Sequence, residues 1–390
     1  MICILDFGTS KISSILVKDE DVSPEVVAFS SVETSGIKTG SIINIGQISE
    51  DISKCINELE NKAGEKIKDV IVSFSGEQIS SINSTGSVII RQKEVTARDV
   101  QSALNMSSTL KVPNDKTLLY VSPNEYTIDG QPGIAQPIGM NGVRLEAKSH
   151  LIYCSQNTKE NISKCIEELN DLRIKKFYFN QLGAAESVLT KDQRELGICL
   201  LDIGAGTTDL TIYKGGSIRF SKVFPYAGDF ITETIATSLK ITSMQAEEVK
   251  KKYGCAILDS DSQDSLKIMG NNGNRDTEIS RKALSEVIEK SLTRIIRHCA
   301  ICVEDNGMLS SMPTGYVLTG GTANLEGIKK LGENVTKNNF EIGFPIIEMP
   351  TKSEQLIKPQ FSPILGMIKF CAIEQNKQFT FNQSRGIIGR

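Results

Sequence analysis

Two short strings carry most of the chemistry available to this sequence: Leu5-Asp6-Phe7-Gly8-Thr9-Ser10-Lys11 near the start, and Leu201-Asp202-Ile203-Gly204-Ala205-Gly206-Thr207-Thr208-Asp209 past the middle. Each follows one apolar run and precedes another, so each reads as an Asp-x-Gly turn joining two strands of a hairpin. Gly8, Gly204 and Gly206 lack a Cβ and let the backbone approach an anion closely, while backbone amides and the hydroxyls of Thr9, Ser10, Thr207 and Thr208 donate hydrogen bonds to it. Two such turns facing each other would grip a polyphosphate from opposite sides, each charge-assisted bond being worth about 1.5–3 kcal/mol. Asp6 and Asp202 repel phosphate but suit the water shell of a Mg2+ ion, which keeps several waters, and Asp209 is a third candidate for that role. One Asp-Gly alone closes many ordinary hairpins. What singles out a nucleotide cleft is the pair together with a third turn, Thr319-Gly320-Gly321-Thr322, placed between the apolar strand Tyr316-Val317-Leu318 and a helix start near Leu325. Such a turn aims amides and the positive end of a helix at an anion or nucleoside.

Competing chemistries fit less well. No G-x-x-x-x-G-K-[ST] string occurs, and Gly204-x-Gly206 lacks a third glycine and runs into a strand-like segment, which argues against a P-loop or a dinucleotide-binding fold. The chain has two histidines, His150 and His298, too few for a histidine-rich metal site; His150 lies in an alternating strand-like run and reads as structural. The nine cysteines are scattered in apolar stretches such as Ile198-Cys199-Leu200, and Cys299 and Cys302 beside His298 sit one helical turn apart, which reads as packing in a reducing compartment. A net charge of −3 with mixed signs along the chain gives no footprint for nucleic acid. The opening Met1-Ile2-Cys3-Ile4 lacks the pattern of a secretory signal, and no apolar run approaches the roughly 18 residues of a spanning helix. The expected location is therefore the cytoplasm.

The elements that must hold these turns form two lobes, since 390 residues at 39% hydrophobic content are enough for more than one core. Strands at Ile2–Leu5 and Ile12–Val17, a helix over about 49–63 with Ile52, Cys55, Ile56 and Leu59 on one face, and the strand Val70–Val72 give a first α/β lobe. From about residue 83 to 162 the texture changes to strands and turns around one short helix announced by Thr96-Ala97-Arg98-Asp99, which reads as an inserted α+β subdomain. The second lobe starts near Gly197, its hairpin turning at Gly215-Gly216; helical segments follow over about 230–302. The expected division is 1–82 with 163–196 for the first lobe core, 83–162 for the insertion, 197–240 with 314–372 for the second core, 241–313 for its smaller subdomain and 373–390 for a C-terminal linker.

In this order the motifs resemble the first phosphate, second phosphate and adenosine motifs of the actin and sugar-kinase superfamily, with Asn180-Gln181-Leu182-Gly183-Ala184-Ala185-Glu186 as the connecting segment. The insertion, its strand Val143 to Cys154, and Leu284-Ser285-Glu286-Val287-Ile288-Glu289 resemble FtsA, the actin-like bacterial cell-division family, over nearly the full chain. The resemblance implies an actin-like two-lobed α/β ATPase fold of ribonuclease H-like repeats, with MgATP between the lobes. It implies that Asp6 and Asp202 act on Mg2+ and its water and that Gln181 orients the attacking water. A neutral amide is a poor base, so at most slow ATP hydrolysis is expected. It also implies that Lys11, Ala205, Gly321 and Thr322 join the nucleotide contacts, and that Glu247 and Lys250 contact the ribose and adenine, although the same residues also read as a solvated helix face. Implied partners are further copies in a head-to-tail filament, later division proteins, the membrane's inner face at midcell, and the FtsZ tail peptide. Arg281, Lys282 and Lys290 are candidates for meeting the tail's acidic residues. Members usually end in an amphipathic membrane helix, whereas Arg385-Gly386-Ile387-Ile388-Gly389-Arg390 is short and lacks an aromatic residue. An actin-like pilus-assembly adaptor and a small-molecule kinase of the same superfamily are the alternatives.

Overall fold

The computed structural model of the protein describes residues 1–18, 24–109, 113, 115–258, 265–268, 277–346 and 354–387. The first lobe begins with β1 (Ile2–Phe7), β2 (Lys11–Lys18) and β3 (Glu25–Glu33) and a two-residue hairpin, β4 (Ile37–Lys38) and β5 (Ser41–Ile42). Helix α1 (Ile45–Ala63) starts four residues earlier than its apolar spacing suggests, because Asn44 caps it by accepting from Gln47 N; Gly64, at φ 73°, ends it. Ile48, Ile52, Cys55, Ile56 and Leu59 turn inward from it. β6 (Asp69–Phe74) follows.

The inserted unit comprises β7 (Ser80–Ile89), α2 (Ala97–Thr109), β8 (Lys116–Ile128), β9 (Gln131–Ile134) and β10 (Arg144–Ser155). Thr96 and Asp99 form a reciprocal cap at the start of α2, Asp99 Oδ2 accepting from Thr96 N at 2.9 Å. Its sheet runs β7-β10-β8-β9 and has a small core of its own around Leu145, Ala147 and Ala103. The sheet begins at Ser80, slightly before the change in sequence texture. α3 (Gln156–Ser163), continued by one π turn to Glu168, β11 (Arg173–Phe179) and α4 (Asn180–Val188) return the chain to the first lobe.

α5 (Lys191–Leu196) leads into the second lobe: β12 (Ile198–Ile203), β13 (Thr208–Lys214), β14 (Ser217–Phe224), α6 (Gly228–Leu239) and α7 (Ser243–Tyr253). A short hairpin, β15 (Ser265–Ile268) and β16 (Thr277–Ser280), interrupts the stretch read as helical and precedes α8 (Arg281–Asp305). β17 (Tyr316–Thr319), α9 (Ile328–Thr336) and β18 (Phe340–Ile342) complete the sheet, and α10 runs from Ser362 to Ile387, through most of the segment read as a linker. Residues 388–390 of the short C-terminal segment considered for membrane contact lie outside the described residues.

The two main sheets share one topology. The first runs β3-β2-β1-β6-β11 and the second β14-β13-β12-β17-β18, each an antiparallel three-strand meander extended by two parallel strands. Between the lobes α4 crosses α10 at backbone contact: a Cβ on Gly183 would run into Pro363 O and Met367 N, and one on Gly366 into Gly183 O. Only glycine fits at that crossing, which seats the N-terminus of α4 beside the cleft. Among the described residues no helix is long and apolar enough to cross a membrane, and all nine cysteines are free, eight of them buried.

Candidate functional site

The shared topology places Asp6 and Asp202 at matching points, one residue from the end of the first strand of each sheet. Both turns close in the same way, Gly8 N donating to Lys11 O and Gly204 N to Thr207 O, each at 3.0 Å. The turns face each other across a cavity of 500 Å3 between the lobes. Of the residues singled out from the sequence, Asp6, Gly8, Thr9, Ser10, Lys11, Asp202, Gly204, Ala205, Thr207, Asp209, Glu247, Lys250, Gly320, Gly321 and Thr322 line it. Gly206 and Thr208 stand behind the wall. A Cβ on Gly206 would press on Thr9 Oγ1 at 2.5 Å and Thr39 N at 3.0 Å, so this glycine lets the lobes meet. Thr208 instead donates its hydroxyl to Tyr226 O.

The carboxylates sit deep. Ser73 Oγ donates to Asp6 Oδ1 at 3.0 Å, and Ser75 Oγ of the first lobe donates across the cleft to Asp209 Oδ1 of the second at 2.7 Å. Burial pushes Asp6 up to about 6 and Asp209 to about 7. Asp202, directly opposite Asp209 in the β12–β13 ladder, is raised well above the ordinary carboxylate range, by burial first and then by the charge of Asp209. Lys11 Nζ lies 3.8 Å from the centroid of the Phe361 ring; burial lowers its ammonium to about 8 against the pull of Asp6 and Asp202.

Buried carboxylates that resist ionisation are oxygen donors whose charge a divalent cation would offset. Among the described residues no group of three or more His, Cys, Asp or Glu stands close enough to hold a metal by itself.

Next to the second turn, through Gly228, Lys250 is 9% exposed and is not part of a solvated face. Its ammonium donates to Gly228 O at 3.0 Å and Thr232 Oγ1 at 2.7 Å and pairs with Glu247 Oε2 at 2.6 Å. Burial works against ionisation of Glu247, but Lys250 and Thr232 outweigh it and hold the carboxyl below its usual value. Gly320, at φ 88°, sits so close to Asp202 Oδ1 and Ile203 O that no side chain fits there. Thr322 Oγ1 donates to Gly204 O at 3.1 Å, tying the third turn to the second.

Gln181 and its neighbour Asn180 part company. Gln181 is fully buried outside the cavity, and its Nε2 donates to Asp209 O at 2.8 Å. Asn180 lines the cavity, hydrogen-bonds Asp6, and leaves a buried Oδ1 without a partner. The sequence reading missed Asn180 and also Ser75, Gly228 and Lys251 of the wall. Asn180 opens α4 directly after Tyr178 and Phe179, the buried end of β11. Arg281, Lys282 and Lys290 lie on α8, away from the cleft; Lys282 and Lys290 are exposed and Arg281 is half-buried.

Comparison with known proteins adds to this geometry. The profile described as "Cell division protein FtsA" matches residues 199–366, and that of "SHS2 domain inserted in FTSA" matches residues 76–153. The "Cell division protein FtsA" of Pseudomonas aeruginosa is 34% identical over 98% of this chain and 92% of its own length; that of Escherichia coli K12 is 31% identical over 94% and 89%. Among solved structures, the chain matches the PilM-PilN type IV pilus biogenesis complex with TM-score 0.66 at 18% identity, covering 94% of this chain and 96% of the other. MreB5 of Spiroplasma citri bound to ADP gives 0.60 at 15%, covering 97% and 98%. At these identities the solved structures speak to the fold, which is actin-like.

Proposed function

The chain belongs to the FtsA family of cell division proteins, and from that premise we propose that it is an ATP-binding, polymerising adaptor that ties FtsZ filaments to the inner face of the membrane at midcell. The observation that carries the nucleotide part is the convergence of two equivalent Asp-x-Gly turns on one cavity that three buried carboxylates and the Glu247–Lys250 pair also line. Gly8, Thr9, Ser10, Lys11, Gly204, Ala205 and Thr207 would hold the phosphates, with Gly206 and Thr208 shaping the second turn from behind. Gly320, Gly321 and Thr322 would flank the nucleoside. Mg2+, when bound, would neutralise phosphate charge, with Asp6, Asp202 and Asp209 orienting its water.

Both amides keep a buried oxygen without a partner, Asn180 Oδ1 and Gln181 Oε1, but only Asn180 lines the cavity, so in this reading the water-orienting role passes from Gln181 to Asn180. Gln181 instead props the Asp209 backbone. A neutral amide positions water without taking its proton, so hydrolysis is slow.

Arg281 and Lys282 occupy the first turn of α8, where cations oppose the helix dipole. An acidic FtsZ tail peptide would meet them together with the exposed Lys290 on the same helix. The experiment is co-pelleting of the chain with and without MgATP, with labelled FtsZ tail as ligand. Nucleotide-dependent pelleting and capture of the peptide are expected; nucleotide binding with neither would overturn the adaptor reading.

A further inference from the structure

The inserted subdomain leaves the chain of the first lobe, which it meets through Thr117 with Gln156 and Tyr120 with Phe370, yet a set of polar ties also joins it to the second. β14 is the end strand of the second sheet, and its free edge is covered by side chains from β7, β8 and β10. Ser81 Oγ donates to Ser221 O at 2.8 Å, Asn83 Nδ2 donates to Arg219 O at 3.2 Å, and Ser122 Oγ accepts from Ile218 N at 3.4 Å. At the centre is His150, 1% exposed, with Nδ1 2.7 Å from Asn83 Oδ1 and Nε2 2.8 Å from Ser221 Oγ.

The donors can be assigned. The Asn83 amide nitrogen is used on Arg219 O, so its oxygen faces the ring; His150 Nδ1 therefore carries the proton, and Nε2 accepts the Ser221 hydroxyl. Ser221 to His150 to Asn83 to Arg219 is then one directed chain that begins and ends on β14. Buried networks of this kind hold one geometry when every member is satisfied. β14 in turn pairs with β13, with Phe224 opposite Thr208 next to the second phosphate turn.

We propose that this seam makes the inserted subdomain travel with the second lobe, so that movement of the lobes on nucleotide binding is passed to the groove between β8 and β11. The groove, of 1160 Å3, is walled by Leu118 and Tyr120 of β8 on one side and by Ile174, Lys176 and Tyr178 of β11 on the other. β11 is an edge strand of the first sheet, whereas Ser122 of β8 is tied to β14. Tyr120 of β8 and Tyr178 of β11 both meet the Phe370 ring of α10 edge-on, at 5.6 and 5.2 Å, so a change in the angle between the lobes has to be taken up by sliding at that shared ring. The coupling rests on the nucleotide reading above; the tie itself does not.

Hydrogen exchange on the full chain separates the two. Without nucleotide, Ser221→Ala and His150→Leu should each speed exchange about tenfold, the worth of roughly one hydrogen bond, in residues 217–224 as well as in 80–89 and 144–155. Faster exchange in the insertion alone would overturn the tie, and Ser221→Ala serves if His150→Leu does not fold. With MgATP, protection at 204–208 should be accompanied in the wild type by altered exchange at 116–121 and 173–179. In the seam variants the first should persist and the second disappear. An unchanged response of the groove strands in the variants would overturn the coupling. Absence of protection at 204–208 in the wild type would instead remove the nucleotide reading and the coupling with it, leaving the tie to the nucleotide-free comparison.

Discussion

The two lobes present the same fold twice and different chemistry each time. Asp6 and Asp202 end equivalent strands, Gly8 and Gly204 close equivalent turns, and Ser73 and Thr319 pair with the two aspartates from equivalent parallel strands. Across the hairpin, however, Asp6 faces Ser13 whereas Asp202 faces Asp209, and the first turn ends in Lys11 where the second ends in Thr207. At its hairpin turn the first lobe therefore brings a cation and one acid to the cleft, and the second brings two opposed acids at its own, with Lys250 and Lys251 added from α7. The shared topology sets where the groups stand, and the residue types at matching points differ between the two lobes.

The comparison breaks most visibly at Asp202. Asp202→Ala is expected to weaken MgATP binding by about 100-fold or more, since two charge-assisted contacts of about 1.5–3 kcal/mol each are lost, while Asp6→Ala weakens it less because Lys11 stays in place. In EDTA, Asp202→Ala should leave ATP affinity unchanged or raise it, because a buried anion has been removed. Equal losses in both conditions, read by fluorescent-nucleotide titration, would mean that Asp202 does not serve a cation.

Asn180→Ala should slow any ATP turnover by about tenfold or more with binding retained. Gln181→Ala should instead lower thermal stability, because it unprops Asp209 O. Single-turnover assays and melting curves on the two variants distinguish the neighbours, and the reverse pattern would return the role to Gln181.

A pH series sharpens the contrast between the halves. Asp6 and Asp209 have folded-state values of about 6 and about 7, above their ordinary 3.8. Their contribution to stability is thus fully present below the unfolded value and is lost as pH rises through 6 and 7 in the nucleotide-free protein. MgATP should recover it, so the melting shift on adding MgATP should grow several-fold from pH 5.5 to pH 8. A shift flat with pH would show that these acids do not titrate against the ligand. The smallest effect belongs to the exposed surface: Lys282→Ala or Lys290→Ala should weaken FtsZ tail binding only a few-fold, as for solvent-exposed charges worth about 0.2–1 kcal/mol.

The sequence made the three turns readable because strand, Asp-x-Gly and strand follow one another locally, and the Gly215-Gly216 turn, with φ of 61° and 71°, for the same reason. The start of α1 was misplaced because Asn44 caps it ahead of the apolar stripe. The β15–β16 hairpin was hidden in a polar stretch with little periodicity. Asn180 and Gln181 could not be separated by residue type, since only the direction of α4, set by the Gly183–Gly366 crossing, decides which amide faces the cavity. The seam at His150 was illegible for a plainer reason: Asn83, His150 and Ser221 are far apart in the chain, and no local pattern announces a hydrogen bond between them.

The central claim is that the two turns act together on one Mg-nucleotide. Titration of fluorescent ATP into the wild-type chain, with Mg2+ and with EDTA, tests it most directly. The account predicts saturable binding that is much tighter with Mg2+ and that loses its Mg2+ dependence in Asp202→Ala. No binding, or binding indifferent to both Mg2+ and Asp202, would contradict it.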